Sequence, residues 1–121
     1  MNEYELLQQN LGQELRRGVL VLAVLARLDE PKYGYSLLQD LQDQGLAIEQ
    51  NTLYPLLRRL ESQELLESNW NLEENRPRKY YQISTLGKQI KHQLIHDWKE
   101  INQTLDSIIQ HDQPNPKGGT K

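Results

Sequence analysis

The stretch Asn51-Thr52-Leu53-Tyr54-Pro55-Leu56-Leu57-Arg58-Arg59-Leu60-Glu61 decides how this chain is read. Leu53, Leu56, Leu57 and Leu60 recur at i, i+3, i+4 and i+7, which is one face of a helix. At roughly 100° per residue, Asn51, Pro55, Arg58, Arg59 and Ser62 share the opposite face, with Thr52 and Tyr54 on its flanks. One side is apolar enough to be held against a core. The other offers two guanidinium forks, an amide and small or aromatic groups. That division suits a helix entering a DNA major groove. Taken alone it equally suits a solvated surface helix. The flanking sequence shifts the balance.

Upstream, Tyr33-Gly34-Tyr35 opens a short helix over about 34–43, with Leu37, Leu38 and Leu41 facing inward. Gln44-Gly45 stops it, and glycine suits a left-handed C-cap. Leu46 to Gln50 is a short turn. Helix, glycine-bearing turn, helix is the helix-turn-helix unit. Pro55 falls early in the second helix, where a missing N–H matters little. Downstream of Gln63-Glu64 the period becomes extended. Leu66, Trp70 and Leu72 mark one run within 65–72, and Tyr80-Tyr81-Gln82-Ile83 marks another. Glu73-Glu74-Asn75-Arg76-Pro77 between them has no apolar residue and is a turn cluster. The expectation is a hairpin with Arg76, Arg78 and Lys79 at its tip and on its return strand. The fold class is therefore mainly α with a small β-hairpin: a winged helix-turn-helix followed by a long C-terminal helix.

Further out, residues 3–11 form a short helix with Tyr4, Leu7 and Leu11 on one side. A second helix over about 13–28 is apolar nearly all round, so it belongs in the core or at a subunit contact. Asp29-Glu30-Pro31 ends it. Ser84 or Thr85 caps the last helix, about 86–111. Leu86, Ile90, Leu94, Trp98, Ile101, Leu105 and Ile108 repeat along it every three or four residues. At that length it extends roughly 39 Å, enough to carry its second half beyond a small domain. The bare stripe calls for a partner, and a two-fold homodimer is the simplest one. Folding back on residues 3–28 is the other solution. The division expected is 1–84 for the N-terminal helices and the winged DNA-binding domain, 85–111 for the dimerisation helix, and 112–121 for a disordered tail rich in Pro and Gly.

The 121 residues suit one domain, and the formal charge of −3 argues against indiscriminate nucleic-acid binding while leaving local positive charge free to act. The absence of cysteine excludes disulfides, thiolate metal sites and Cys nucleophiles. No apolar run reaches membrane-spanning length, and the acidic, polar Met1-Asn2-Glu3-Tyr4-Glu5 lacks a signal-peptide pattern. A cytoplasmic protein with no membrane association is expected. Enzymatic readings find no support. His92-Gln93-Leu94-Ile95-His96 has zinc-helix spacing, but glutamine stands where a general base is needed. No catalytic residue, metal or cofactor is assigned.

With these residues laid out, the chain resembles the PadR family of bacterial transcriptional regulators, in its short form with a single C-terminal helix. The matching stretches are Tyr33-Gly34-Tyr35, Thr52-Leu53-Tyr54-Pro55 with Arg59-Leu60-Glu61, Leu65-Leu66-Glu67, and Arg78-Lys79-Tyr80-Tyr81 with Leu86-Gly87. They run in this order from about Gly18 to Leu105. The resemblance implies a dimeric winged-helix repressor built through its first and last helices. That adds Leu7 and Leu11 to Leu94, Trp98, Ile101, Leu105 and Ile108 as interface residues. It also implies release from a promoter when a small aromatic or drug-like effector binds. An aromatic at the position of Trp98 lines an inter-subunit cavity in similar proteins; plain interface packing is the other role open to it. Glu49-Gln50-Asn51 departs from the Ser-Glu-Gly of many relatives, and Gln63-Glu64 stands where glycine is common.

Roles on DNA follow from side-chain chemistry. Asn51 and Thr52 sit at the leading end of the recognition helix, near base edges and phosphates. Arg58 and Arg59 suit guanine or phosphate, with at least one expected to pair with a nearby acid such as Glu61 or Glu64. Tyr54 either donates to a phosphate or packs half-buried. Lys32 and Tyr33, at the start of the preceding helix, contact the backbone. Arg76, Arg78 and Lys79 meet the minor groove or its rim. Tyr80 and Tyr81 pack within the strand. Function is thus expected to be sequence-specific regulation of transcription by a homodimer on double-stranded promoter DNA. A winged-helix module that binds protein instead of DNA is the alternative.

Overall fold

The computed structural model describes residues 1–72 and 75–111. The turn residues Glu73 and Glu74 and the tail expected over 112–121 lie outside the described residues. The elements run α1 (Glu3–Arg27), β1 (Lys32–Tyr33), α2 (Gly34–Asp43), α3 (Gln50–Ser62), β2 (Leu66–Asn71), β3 (Arg78–Ile83) and α4 (Thr85–His111). The chain divides into two units, Met1–Lys91 and the remainder from His92, a boundary inside α4.

The two N-terminal helices expected from sequence are one. Gly12 does not break α1. Its start is fixed by a capping box, in which the Glu5 amide donates to Asn2 Oδ1 at 2.8 Å and the Asn2 amide donates to Glu5 Oε1 at 3.2 Å. Propagation past a single glycine costs only about 1 kcal/mol, which a well-capped long helix tolerates. Only its second half enters the core, through Leu20, Val24 and Leu25.

The core of the first unit is almost entirely leucine. Leu25, Leu28, Leu37, Leu41, Leu53, Leu57 and Leu60 are fully buried, joined by Ile48, Leu66 and Ile83. Each buried leucine is favoured by about 1.5–3 kcal/mol over its exposed state. Leu53, Leu57 and Leu60 hold α3 down by the stripe read from sequence.

Two turns of the same kind close α2 and α3. After α2, the Leu46 amide donates to Leu41 O and the Gly45 amide to Gln42 O, with Gly45 at φ 105°. This is the Schellman arrangement. After α3, the Leu65 amide donates to Leu60 O and the Glu64 amide to Glu61 O, and Glu64 takes the left-handed backbone at φ 65°. The turn into β2 is therefore as sharp as glycine would make it.

The hairpin carries a third strand. Lys32 and Tyr33, expected to begin α2, instead form β1 and pair antiparallel with Tyr81 and Tyr80, giving the order β1-β3-β2. β2 and β3 pair from Leu66↔Ile83 to Asn71↔Arg78. Ser84 caps α4: its Oγ accepts from the Gly87 amide at 2.9 Å and donates to Glu64 O at 2.7 Å. The Ser84 amide donates to Leu65 O at 3.0 Å. A Cβ on Gly87 would lie 2.7 Å from Ile83 Cγ1 and closer still to the Leu65 carbonyl oxygen, so only glycine fits. Among the described residues, no helix is long and apolar enough to cross a membrane.

Candidate nucleic-acid interface

Asn51, Thr52, Pro55, Arg58, Arg59 and Ser62 are all exposed, opposite the buried leucines of α3. The helix begins at Gln50, and the N-cap Glu49 makes no side-chain cap bond. The departure from Ser-Glu-Gly thus leaves the leading amides without a side-chain acceptor from the N-cap. Pro55 lies beyond the first turn of this helix. It removes the donor that the Asn51 carbonyl would otherwise accept, a larger loss than its expected place predicts.

Neither Arg58 nor Arg59 makes an ion pair among the described residues, contrary to the expectation that one would. Of the acids expected to take them, Glu61 is occupied. Glu61 accepts from Ser68 Oγ and pairs with Lys79 Nζ at 3.2 Å. The Ser68 hydroxyl, and after it Lys79, holds the Glu61 carboxyl below the usual range, against the opposing effect of burial. Glu61 therefore fastens α3 to both strands of the wing.

Tyr54 is half-buried and packs on α2. A Cβ at Gly34 would stand 2.8 Å from Tyr54 Cε1, so the glycine of Tyr33-Gly34-Tyr35 makes room for this ring. Tyr33 is held from three sides. Its hydroxyl accepts from Asn71 Nδ2 at 2.7 Å, Tyr80 meets it edge-on at 6.0 Å, and the Arg78 guanidinium lies 4.7 Å from its ring centre. Lys79 lies 5.4 Å from the ring centre of Tyr81.

Between α3 and the wing lies a concavity that brings together Arg58, Arg76, Arg78 and Lys79 with Tyr33 and Tyr54. No carboxylate is among the described residues lining it. Asn51 shares a second hollow with Tyr54, Pro55 and Arg58. Thr52 lies on the other flank, in a hollow shared with Arg16 and Arg17 of α1. Sequence reading missed that pair: its only signal was two adjacent arginines, and a single pass along the chain does not place them beside α3. Arg59 is exposed outside all three hollows. Lys32 lies in a further hollow with Tyr33, Trp70 and Tyr80.

On α4, Leu94 is half-buried while Trp98, Ile101, Leu105 and Ile108 are exposed, Ile101 at 64%. On α1, Leu7 and Leu11 are exposed, Leu11 at 62%. His96 pairs with Glu100 at 3.2 Å, one turn along the same helix. Among the described residues, no three His, Cys, Asp or Glu side chains gather into a metal site.

Comparison with known proteins gives a consistent picture. The sequence pattern described as the transcriptional regulator PadR-like family matches residues 21–93. An uncharacterised protein from Lysinibacillus sphaericus is 30% identical over 87 residues, covering 69% of this chain and 80% of that protein. A crystal structure of a PadR family transcriptional regulator from Eggerthella lenta is 42% identical with a TM-score of 0.82, covering 88% of this chain and 95% of that one. A PadR-like transcription factor from Bacteroides fragilis is 35% identical with a TM-score of 0.69, over 82% and 98% of the two chains.

Proposed function

The chain belongs to the PadR-like family of transcriptional regulators, and on that premise we propose that it is a homodimeric, effector-responsive repressor of a palindromic promoter site. DNA-binding regulation of transcription comes with the family and its winged fold. The observation that carries the reading is the concavity between α3 and the wing. It collects Arg58, Arg76, Arg78 and Lys79 with no carboxylate among its described lining, in a chain whose formal charge is −3. Positive charge is thus concentrated where phosphate would lie.

In this reading Asn51, Thr52, Arg58 and Arg59 face the major groove. Lys32, Arg76 and Arg78 meet the sugar-phosphate backbone and the minor-groove rim. Tyr33 contributes by holding Arg78, and Tyr54 by seating α3 on α2. Lys79 divides its charge between Glu61 and DNA, so it is the weakest of the wing contacts. The apolar face of α1 with Leu7 and Leu11, and that of α4 with Leu94, Trp98, Ile101, Leu105 and Ile108, each offer a surface to a second copy. Two recognition helices then sit about 34 Å apart, one turn of duplex. In the same reading Trp98 meets a planar aromatic effector at that interface.

The test is a mobility-shift assay with the DNA upstream of its own gene, at moderate salt. A specific shift that competitor DNA does not abolish is expected. A protein indifferent to that fragment and to every other duplex overturns the proposal. For the effector, planar aromatics are expected to quench Trp98 emission and lower affinity for the duplex together. Quenching without loss of DNA affinity removes the effector role.

A further inference from the structure

The pairing Leu66↔Ile83, Ser68↔Tyr81 and Trp70↔Lys79 places Trp70 on the sheet face that looks toward α3. Glu61 marks that face, since it bonds Ser68 and pairs with Lys79. Along it, Leu66 is buried and Ser68 half-buried, but Trp70 is 59% exposed. An indole so placed contributes little to the core, where a strand residue on the inward face ordinarily belongs. It lines the same concavity as Arg58, Arg76 and Arg78.

A groove with cations along it and a flat apolar ring within it matches one chemistry closely. A nucleic-acid strand alternates anionic phosphates with apolar deoxyribose faces. An acidic peptide satisfies the arginines but presents no sugar face to the ring. We propose that Trp70 is a DNA-contacting residue: its ring packs on a deoxyribose of the strand lying between the recognition helix and the wing, and its indole N–H donates to a neighbouring phosphate oxygen. The assignment rests on the DNA-binding reading and adds to it a contact that is uncharged. It therefore acts on affinity and strand geometry without acting on counterion release.

The full-length protein is used to enrich a duplex from a randomised pool, and that duplex is titrated across a range of salt. Trp70→Ala is expected to bind about tenfold more weakly at every salt concentration, a size typical of a buried aromatic anchor. Its slope of log affinity against log salt stays that of the wild type. Trp70→Phe falls between the two. Arg76→Gln, in contrast, lowers the slope by about 0.9, the share of one phosphate contact. Duplex addition changes tryptophan emission in the wild type, and the change is lost in Trp70→Phe although Trp98 remains. Wild-type affinity in both Trp70 variants, or an emission change that persists in Trp70→Phe, overturns the assignment. So does a salt slope that falls in Trp70→Ala, because the loss then comes from displaced arginines. Circular dichroism identifies a misfolded Trp70→Ala, in which case Trp70→Phe alone decides. Failure to enrich any duplex is a different result. It removes the DNA-binding reading and the Trp70 contact with it.

Discussion

Glu64 holds the backbone at φ 65° so that the Leu65 and Glu64 amides can close the end of α3. A side chain in that region costs about 1–2 kcal/mol relative to its ordinary conformations. Glu64→Gly is therefore expected to raise stability by about 1 kcal/mol after the larger entropy of the unfolded glycine is subtracted. The shift in urea midpoint measures it. Gly87 has the opposite sign. Alanine in the first turn of α4 gains up to about 1 kcal/mol in helix propensity, but its Cβ collides with Ile83 and the Leu65 carbonyl. Gly87→Ala is expected to lose about 1–3 kcal/mol, as overpacked sites do, and a higher urea midpoint contradicts this. Of the two left-handed helix ends, at Gly45 and Glu64, Gly45 was legible from sequence as a helix stop. Glu64 was not, because no composition rule marks a glutamate that a turn forces to φ > 0.

The recognition helix and the wing are fastened through one carboxylate. Glu61 is held below the usual carboxylate range by Ser68 and Lys79, and Asp40 by Arg27, whose Nε donates to it at 2.7 Å. A depressed carboxylate binds its proton less tightly in the folded chain than in the unfolded one. Its stabilisation is complete above the ordinary range of about pH 4 and is lost as pH falls through the lower folded value. Stability should therefore drop on the acid side, and Glu61→Gln should flatten part of that drop in a urea titration against pH. The same substitution releases Lys79. Its salt slope on duplex DNA should steepen by about 0.9, and an unchanged slope would leave Lys79 without a phosphate role. Within α3, Arg59→Ala is expected to weaken binding by about 1–3 kcal/mol with relaxed preference at one base pair if Arg59 reads a base. Arg58→Ala, which removes one cation from the groove beside the wing, is expected chiefly to lower the salt slope. Footprinting of selected duplexes separates the two. The α3 stripe was readable because leucines at helical spacing admit few alternatives. The third strand was not, because two residues carry no period, and Lys32-Tyr33 before a helix start has the same composition in either state.

At the scale of the whole molecule, two apolar faces are exposed among the described residues: Leu7 and Leu11 on α1, and Trp98, Ile101, Leu105 and Ile108 on α4. Ile101→Glu with Leu105→Glu is expected to shift sedimentation from dimer to monomer and to weaken operator binding by more than about tenfold, since the two half-sites then act separately. A double variant that stays dimeric sinks the α4 interface. The class of molecule was legible because helix-turn-helix, wing and long helix follow one another in fixed order. The pairing of side chains across them was not, since Glu61 choosing Ser68 and Lys79 over the arginines depends on strand register. One consequence reaches beyond stability. Ser84 and Gly87 splice the first turn of α4 to the loop that closes α3, through two hydrogen bonds and a contact with no slack. A rotation of that turn would therefore load the loop that ends α3, the helix carrying Arg58 and Arg59.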